Sequence, residues 1–154
     1  MNLLIFERYI HTSMLFISSI FTDIFANPGL LFVRNGIEGF DVVNVGEVLS
    51  EELQQHDLKS SVLPMVANDV LREILDERVV EQEGGVKYLV LENLSILFEP
   101  ELALDVESLF RSYARSVVLA IVDEHPIMNG WYWPFGTDSD ICVDLTGIRY
   151  SEVY

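Results

Sequence analysis

The sequence predicts an α/β domain with a mainly parallel sheet and flanking helices. Two segments carry this prediction, because "YLVLEN" (88–93) and "SVVLAIV" (116–122) are almost continuously apolar, as strands buried on both faces are. Between them, residues 102–113 repeat apolar side chains at helical spacing. A strand, a helix and a second buried strand in this order predict two parallel strands joined by a right-handed crossover.

The first 27 residues predict an amphipathic helix that ends at Asn27-Pro28-Gly29. We expect this helix to pack on the core, but its apolar face is wide, so contact with a partner or a membrane surface stays an alternative. The uncharged part, 9–22, is shorter than the roughly 20 residues of a membrane span, and no basic region precedes it. We therefore predict neither a transmembrane segment nor an export signal. The apolar residues of the helix recur at 3, 6, 10, 14, 17, 21 and 24.

Two strands are predicted next, at 29–34 and 40–45. The short link between them contains Asn35-Gly36, which predicts a hairpin turn. Helical spacing then predicts two helices, at 47–59 and 64–79.

The C-terminal part begins with a helix predicted at 100–115, with Pro100 at its first position. Two short strands are predicted at 141–145 and 148–154. Because the sequence contains no repeat or linker, we predict a single domain over 1–154, with the amphipathic helix at 1–27 and the α/β core at 30–154.

The charge of the chain is strongly negative, with 25 acidic residues against 9 lysines and arginines and a net charge of −16. Such a surface repels phosphate backbones, so we expect no direct binding of nucleic acid. A basic protein partner and simple solubility remain alternative explanations of the charge. The single cysteine, Cys142, allows no intrachain disulfide, which favours a cytoplasmic location.

Polar side chains follow both buried strands. Glu92 and Asn93 end one strand, and Asp123 begins the "DEHP" stretch after the other. In nucleotide hydrolases an acid at such a strand end holds Mg²⁺ or orients water. A polar cap on the end of a buried strand is the alternative.

The order of "VVNVGEVLSEEL", "YLVLENLSILFEPEL", "RSYARSVVLAIV" and "DLTGIRYSEVY" is similar to the small P-loop ATPase-like protein of bacteriophage exclusion (BREX) defence systems. The similarity covers roughly residues 40–154, and Glu92 stands at the acidic position of the family. The other matching positions are Asn44, Leu49, Ser50, Leu53, Asn93, Leu97, Phe98, Pro100, Glu101 and Leu102.

The resemblance implies a P-loop-NTPase-like fold, but in a degenerate form. A phosphate loop needs the pattern G-x-x-x-x-G-K-[ST], and no Gly-Lys pair followed by Ser or Thr occurs in the chain. We therefore predict no cofactor and no metal. Glu92, Asn93 and Arg115 are candidates for a vestigial site, or for a site completed by a partner. The alternative for Glu92 is a polar cap at the end of its strand, and the alternative for Arg115 is a cation at the end of its helix.

The segment "MNGWYWPFGTD" (128–138) carries four aromatic residues and is predicted to be a loop because of its glycines. Exposed rings of this kind are typical of protein interfaces. The alternative is that the rings fold over the end of the sheet and fill the core there. The candidate partner-binding residues are Trp131, Tyr132, Trp133 and Phe135.

Taken with the resemblance, these features predict a non-catalytic subunit or adaptor of a prokaryotic antiphage defence system that works through protein contacts. Homo-oligomerisation stays open. One alternative is an ATPase subunit whose site is completed by a partner. Another is an acidic inhibitor, or nucleic-acid mimic, that binds a basic partner.

Overall fold

The computed structural model describes residues 28–35, 39–56, 59, 61–82, 84–124, 127–137 and 140–153. These residues form a mainly parallel central sheet with helices, which confirms the predicted α/β class. The helix predicted at 1–27 lies outside the described residues, and so does His125. None of the helices within the described ranges has the length and apolar content needed to cross a membrane.

Within the described residues the main sheet contains β1 (Gly29–Val33), β2 (Val42–Asn44), β3 (Val80–Glu81), β4 (Lys87–Glu92), β5 (Val118–Val122) and β9 (Tyr150–Val153). A smaller sheet contains β6 (Ile127–Met128), β7 (Trp131–Tyr132) and β8 (Val143–Asp144). The helices are α1 (Val45–Gln54), α2 (Leu63–Arg78) and α3 (Val106–Ala114).

The strands of the main sheet run in the order β2-β4-β5-β1-β9, and each neighbouring pair in this order is parallel. The short β3 pairs with the start of β4 in the antiparallel sense. The two most apolar strands, β4 and β5, lie side by side with Tyr88 opposite Val118. Their carboxyl ends therefore meet at one edge of the sheet, as predicted.

The hairpin predicted between the first two strands is wrong. Both sides of β1 are occupied by parallel partners, β5 and β9, and β2 pairs with β4 at the far side of the sheet. The link at 34–41 therefore crosses from one strand to another without a described helix. Phe40 packs edge-to-face on Tyr88, with ring centroids 5.0 Å apart, so this part of the link lies against the sheet. The link is long enough, because its extended reach of about 3.3–3.6 Å per residue exceeds three strand spacings of about 4.8 Å.

All three described helices pack on one face of the main sheet, which we call the helix face. Alternate side chains of the strands point to this face, for example Leu30 and Phe32 of β1, and pack with Leu71 and Phe110 of the helices. The opposite face, here called the second face, presents the intervening residues. The apolar residues buried on it are Leu31, Val33, Tyr88, Val90, Val118 and Ala120.

The helix predicted at 100–115 is shorter than expected, since α3 begins at Val106. Pro100 opens a 3-10 turn instead, and Ala103 takes a left-handed conformation with φ 47°. The side chain of Asp105 then accepts a hydrogen bond from the backbone N–H of Ser108 at 3.0 Å. This cap fixes the start of α3, because it satisfies an N–H group that has no partner inside the helix.

The segment 128–138 is not simply a loop. Asn129 and Gly130 both have positive φ, 55° and 78°, and they connect β6 and β7 as a two-residue hairpin turn. β8, which lies within the predicted strand at 141–145, pairs with the other side of β7. The sequence signal was the Asn-Gly pair, which favours this turn even between short strands.

Candidate functional site

The carboxyl edge of the main sheet forms an open cleft of about 530 Å³. Such an edge is where parallel α/β sheets bind ligands, because the connections leave the strand ends in different directions there. The cleft is lined by the residues that end or follow four strands and by one aromatic residue: Arg34, Asn44, Glu92, Asn93, Leu94, Val122, Asp123, Glu124 and Phe135.

Two asparagines join the ends of β2 and β4 at this edge. The Asn44 side-chain oxygen accepts a hydrogen bond from the Glu47 N–H at 3.0 Å, which caps α1, and a second from Asn93 Nδ2 at 2.9 Å. The backbone oxygen of Asn93 accepts from the Gly46 N–H at 3.0 Å. These hydrogen bonds hold the start of α1 to the end of β4.

Gly46 is required by this arrangement. A Cβ atom at position 46 would lie 2.5 Å from Asn93 Nδ2 and 3.0 Å from its Cγ, closer than side chains approach each other. Asn93 itself has a left-handed backbone, with φ 56°, which asparagine tolerates better than most residues. The positions singled out by the resemblance, 44 and 93, thus have a structural role as partners of each other.

Asp123 has a similar structural role at the end of β5. Its carboxylate accepts a short hydrogen bond from the Tyr132 hydroxyl and another from the backbone N–H of Phe135 at 3.2 Å. Burial, together with the negative charge of Asp123, raises the pKa of Tyr132 far above its usual range, so the phenol stays protonated as a donor. The aromatic segment is therefore joined to the sheet edge.

Tyr132 is part of the core and does not belong to a contact surface. Its side chain is 0 % exposed, and its ring lies 4.9 Å from Phe32 of β1 and 6.2 Å from Phe110 of α3, measured between centroids. The sequence listed Tyr132 as a candidate partner-binding residue, but a ring this buried cannot contact a partner. Tyr132 instead follows the alternative prediction, in which the rings fold over the end of the sheet and fill the core. Trp133 is half-buried.

The outer side of the small sheet is apolar and exposed. Met128 lies opposite Trp131 in the β6–β7 pair, with exposed fractions of 58 % and 38 %. Phe135, which lines the cleft, is 60 % exposed. The interface interpretation therefore stays a prediction for Trp131 and Phe135, and Met128 is a neighbour that the sequence reasoning missed. We call Met128, Trp131 and Phe135 the aromatic surface.

Glu92 lies half-buried at the rim of the cleft. Among the described residues its carboxylate has no hydrogen-bond or ion-pair partner. In the same part of the chain, no group of three or more His, Cys, Asp or Glu side chains is arranged to hold a metal ion. Glu92 thus ends β4 with its carboxylate at the cleft, which it shares with one cation, Arg34, and with the acids Asp123 and Glu124.

Arg115 does not meet Glu92 or Asn93. It follows α3 and precedes β5, so it lies at the amino edge of the sheet, about 16 Å of strand away from the cleft. There Arg115 lines a small cleft of about 210 Å³ together with Arg111 and Arg149. Arg111 donates to the Thr146 carbonyl at 2.6 Å and to the Glu107 carboxylate at 3.0 Å.

Comparison of the chain with protein-family models, with curated proteins and with solved structures finds no match. The resemblance to the phage-exclusion family therefore stays a prediction from the sequence.

Proposed function

We propose that this chain is a non-catalytic subunit or adaptor of a prokaryotic antiphage defence system, with a degenerate P-loop-like fold, and that it acts through protein contacts. The defence assignment is based on the sequence resemblance over residues 40–154. The non-catalytic assignment is based on the carboxyl edge of the sheet, where Asn44, Asn93 and Asp123 form hydrogen bonds within the chain.

The strongest support is the pairing of polar groups around the cleft. Asn44 and Asn93 bond each other, and Asp123 bonds Tyr132 and Phe135. A site that binds a ligand presents its donors and acceptors to the ligand, whereas the Asn44 oxygen, the Asn93 Nδ2 and the Asp123 carboxylate are engaged within the chain.

The link after β1 supports the same conclusion. A phosphate loop wraps its ligand with backbone N–H groups and continues into a helix whose N-terminus faces the phosphates. Only residues 34–41 separate β1 from β2 in the sequence, and Arg34 is the only cation among them. Arg34 lines the cleft beside Glu92, Asp123 and Glu124, whose negative charges repel a triphosphate.

The proposed contact region is the aromatic surface. Met128 and Trp131 face outward from the small sheet, whose inner side is fixed by Tyr132 in the core. Large apolar side chains on a rigid support lose little conformational freedom on binding, which favours their use as contacts.

Co-purification from the native host tests the contact region. A partner protein should co-purify with the unaltered chain. We expect the Trp131→Ser and Phe135→Ser variants each to retain at least tenfold less of that protein. Met65→Ser is the matched control, because Met65 is 64 % exposed and lies on α2. Equal retention by all variants would exclude the aromatic surface as the contact.

Phage challenge tests the biological assignment. Deleting the gene should raise plaque formation, and the Trp131→Ser variant should fail to restore protection while Met65→Ser restores it. Protection that is unchanged by deletion would contradict a role in defence.

Titration calorimetry with ATP and Mg²⁺ separates the proposal from a partner-completed ATPase. We expect no heat of binding from the isolated chain or from its complex with the retained protein. Binding by the complex that Glu92→Gln abolishes would establish the ATPase alternative, which the unpartnered Glu92 carboxylate favours.

A further inference from the structure

The small cleft at the amino edge of the main sheet is strongly basic. Its volume is about 210 Å³, and its lining contains Arg111, Arg115 and Arg149, three of the nine lysines and arginines in the chain. Among the described residues no acidic side chain lines it, whereas the cleft at the carboxyl edge contains three acids and one arginine. A cleft lined by charges of one sign concentrates their field, so this region attracts anions although the net charge of the chain is −16. We call these three residues the arginine cluster.

Two separate parts of the fold bring the arginine cluster together. Arg111 and Arg115 are four residues apart at the end of α3, so their side chains lie on the same side of the helix. Arg149 directly precedes β9, and its backbone oxygen accepts a hydrogen bond from the Leu30 N–H at 2.9 Å. A favourable interaction with the C-terminus of α3 accounts for two of these arginines, but Arg149 lies on another element. Like charges around one cleft repel each other, and a bound anion removes that repulsion.

Arg111 is held in position by its contacts within the chain. Its Nη2 donates to the Thr146 carbonyl at 2.6 Å and to the Glu107 carboxylate at 3.0 Å. Gly147 gives the guanidinium room, because a Cβ atom at this position would lie 3.3 Å from Nη1. Hydrogen bonds from Thr146, and more weakly the charge of Arg111, lower the pKa of Asp144, so a second carboxylate lies near this guanidinium. Arg111 therefore forms a fixed wall of the cleft, with its charge largely balanced.

Arg115 has donors that remain for a ligand. It is exposed, and within the described part of the chain its guanidinium has no hydrogen-bond or ion-pair partner. Arg149 is exposed as well. A guanidinium carries several N–H donors in a planar fork that matches the oxygens of phosphate or carboxylate groups. Arg115 therefore presents unused donors and unbalanced charge at the cleft.

We propose that the arginine cluster binds a small oxyanion of the phosphate class, either the free ion or the end of a small monoester. The oxygens of a carboxylate lie in one plane, so a single guanidinium can engage them. A tetrahedral dianion presents oxygens in several directions, so it can bond guanidiniums that come from two elements of the fold.

The size of the cleft limits the ligand. Pockets for drug-sized ligands have volumes of roughly 300–1,000 Å³, and this cleft of about 210 Å³ is smaller. It has room for one phosphate-sized group but not for a nucleotide, which agrees with the lack of ATP binding expected above. The inference does not rest on the proposed function, because the arginine cluster lies at the opposite edge of the sheet from the carboxyl-edge cleft.

Nuclear magnetic resonance of the whole ¹⁵N-labelled chain tests the site. Inorganic phosphate is added at constant ionic strength, with chloride as the balancing anion, and the arginine side-chain N–H signals are followed. We expect the signals of Arg111, Arg115 and Arg149 to shift together and saturate, while those of Arg72 and Arg78 on α2 stay in place. Acetate is the planar control and should bind at least tenfold more weakly. Phosphoserine, titrated in the same way, distinguishes the sources: tighter binding than inorganic phosphate assigns the site to a monoester, and weaker binding assigns it to the free ion.

Substitutions of exposed arginines give a second readout. Arg115→Gln and Arg149→Gln should each weaken phosphate binding by about tenfold, because each removes a charge-assisted hydrogen bond. Arg78→Gln is the matched control, since Arg78 also ends a helix but does not line the cleft. Glu92→Gln should likewise leave phosphate binding unchanged, which separates this site from the carboxyl-edge cleft. Arg115→Lys keeps the charge without the planar fork and should bind with intermediate affinity.

Three outcomes would overturn the proposal. Arginine signals that stay unshifted up to tens of millimolar phosphate would show that the cluster binds no phosphate. Equal shifts at all arginines, or equal weakening by Arg115→Gln and Arg78→Gln, would show general screening of charge instead of a site. Acetate binding as tight as phosphate binding would show that the cleft does not select a tetrahedral anion.

Discussion

Gly46→Ala should destabilise the chain through its contact with Asn93 and not through the helix. The added Cβ would lie 2.5 Å from Asn93 Nδ2, so the amide must move about 1 Å to reach an ordinary separation. That movement breaks the 2.9 Å hydrogen bond to Asn44. The Cβ would also lie 3.3 Å from the Asn93 backbone oxygen, which leaves little room for the glycine backbone to move instead.

The expected loss follows from two opposed effects. Crowding and the broken hydrogen bond together cost about 1–3 kcal/mol. Replacing glycine by alanine in a helix gains up to about 1 kcal/mol, and less in the first turn, where Gly46 lies. We therefore expect a net loss of about 1–2 kcal/mol in the free energy of unfolding, or a melting temperature lower by about 2–8 °C.

A double-mutant cycle isolates the contact. Asn93→Gly removes the side chain that the new Cβ would strike and accepts the left-handed backbone at this position. In that background Gly46→Ala should be neutral or slightly stabilising, which gives a coupling of about 1–3 kcal/mol. Urea denaturation of the four proteins, followed by circular dichroism, measures it. An equal loss in both backgrounds would refute the reasoning.

Three further predictions concern the core and the cap of α3. Burial holds the pKa of Tyr132 and Tyr113 above the unfolded value of about 10. The stability that the two protonated phenols contribute is therefore present below pH 10 and lost as the pH rises above it. The free energy of unfolding should fall by up to about 1.4 kcal/mol per pH unit for each phenol. Denaturation between pH 8 and 11 checks this, and a slope unchanged in Tyr132→Phe would contradict it. Tyr132→Ala should lower the free energy of unfolding by about 3–5 kcal/mol, because the Tyr132 ring is fully enclosed. Trp131→Ala should lower it by much less, because the Trp131 ring is exposed. Similar losses for the two variants would argue against the burial of Tyr132. Asp105→Ala should cost about 1 kcal/mol by removing the bond to the Ser108 N–H, whereas Asp105→Asn keeps an acceptor and should cost little; thermal melts of the two variants distinguish them.

Much of the candidate site was predictable, because strand ends can be located from the sequence. The continuous apolar runs of β4 and β5 mark buried parallel strands, so their carboxyl ends had to meet at one edge. Glu92, Asn93 and Asp123 therefore fell where the sequence placed them. What the sequence did not reveal is that Asn93 bonds Asn44, 49 residues away in the chain, and that Asp123 bonds Tyr132 of the small sheet.

The sequence by itself determined the fold class, the two central strands and the lack of a glycine- and lysine-bearing phosphate loop. These depend on local periodicity and on residue types, which need no knowledge of distant neighbours. Only the tertiary structure decided that β1 lies between β5 and β9, where no edge remains for a hairpin with β2. It also decided that Tyr132 fills the core while Trp131 beside it faces outward. Such choices depend on which surfaces meet across the fold, and the local pattern of apolar residues does not specify them.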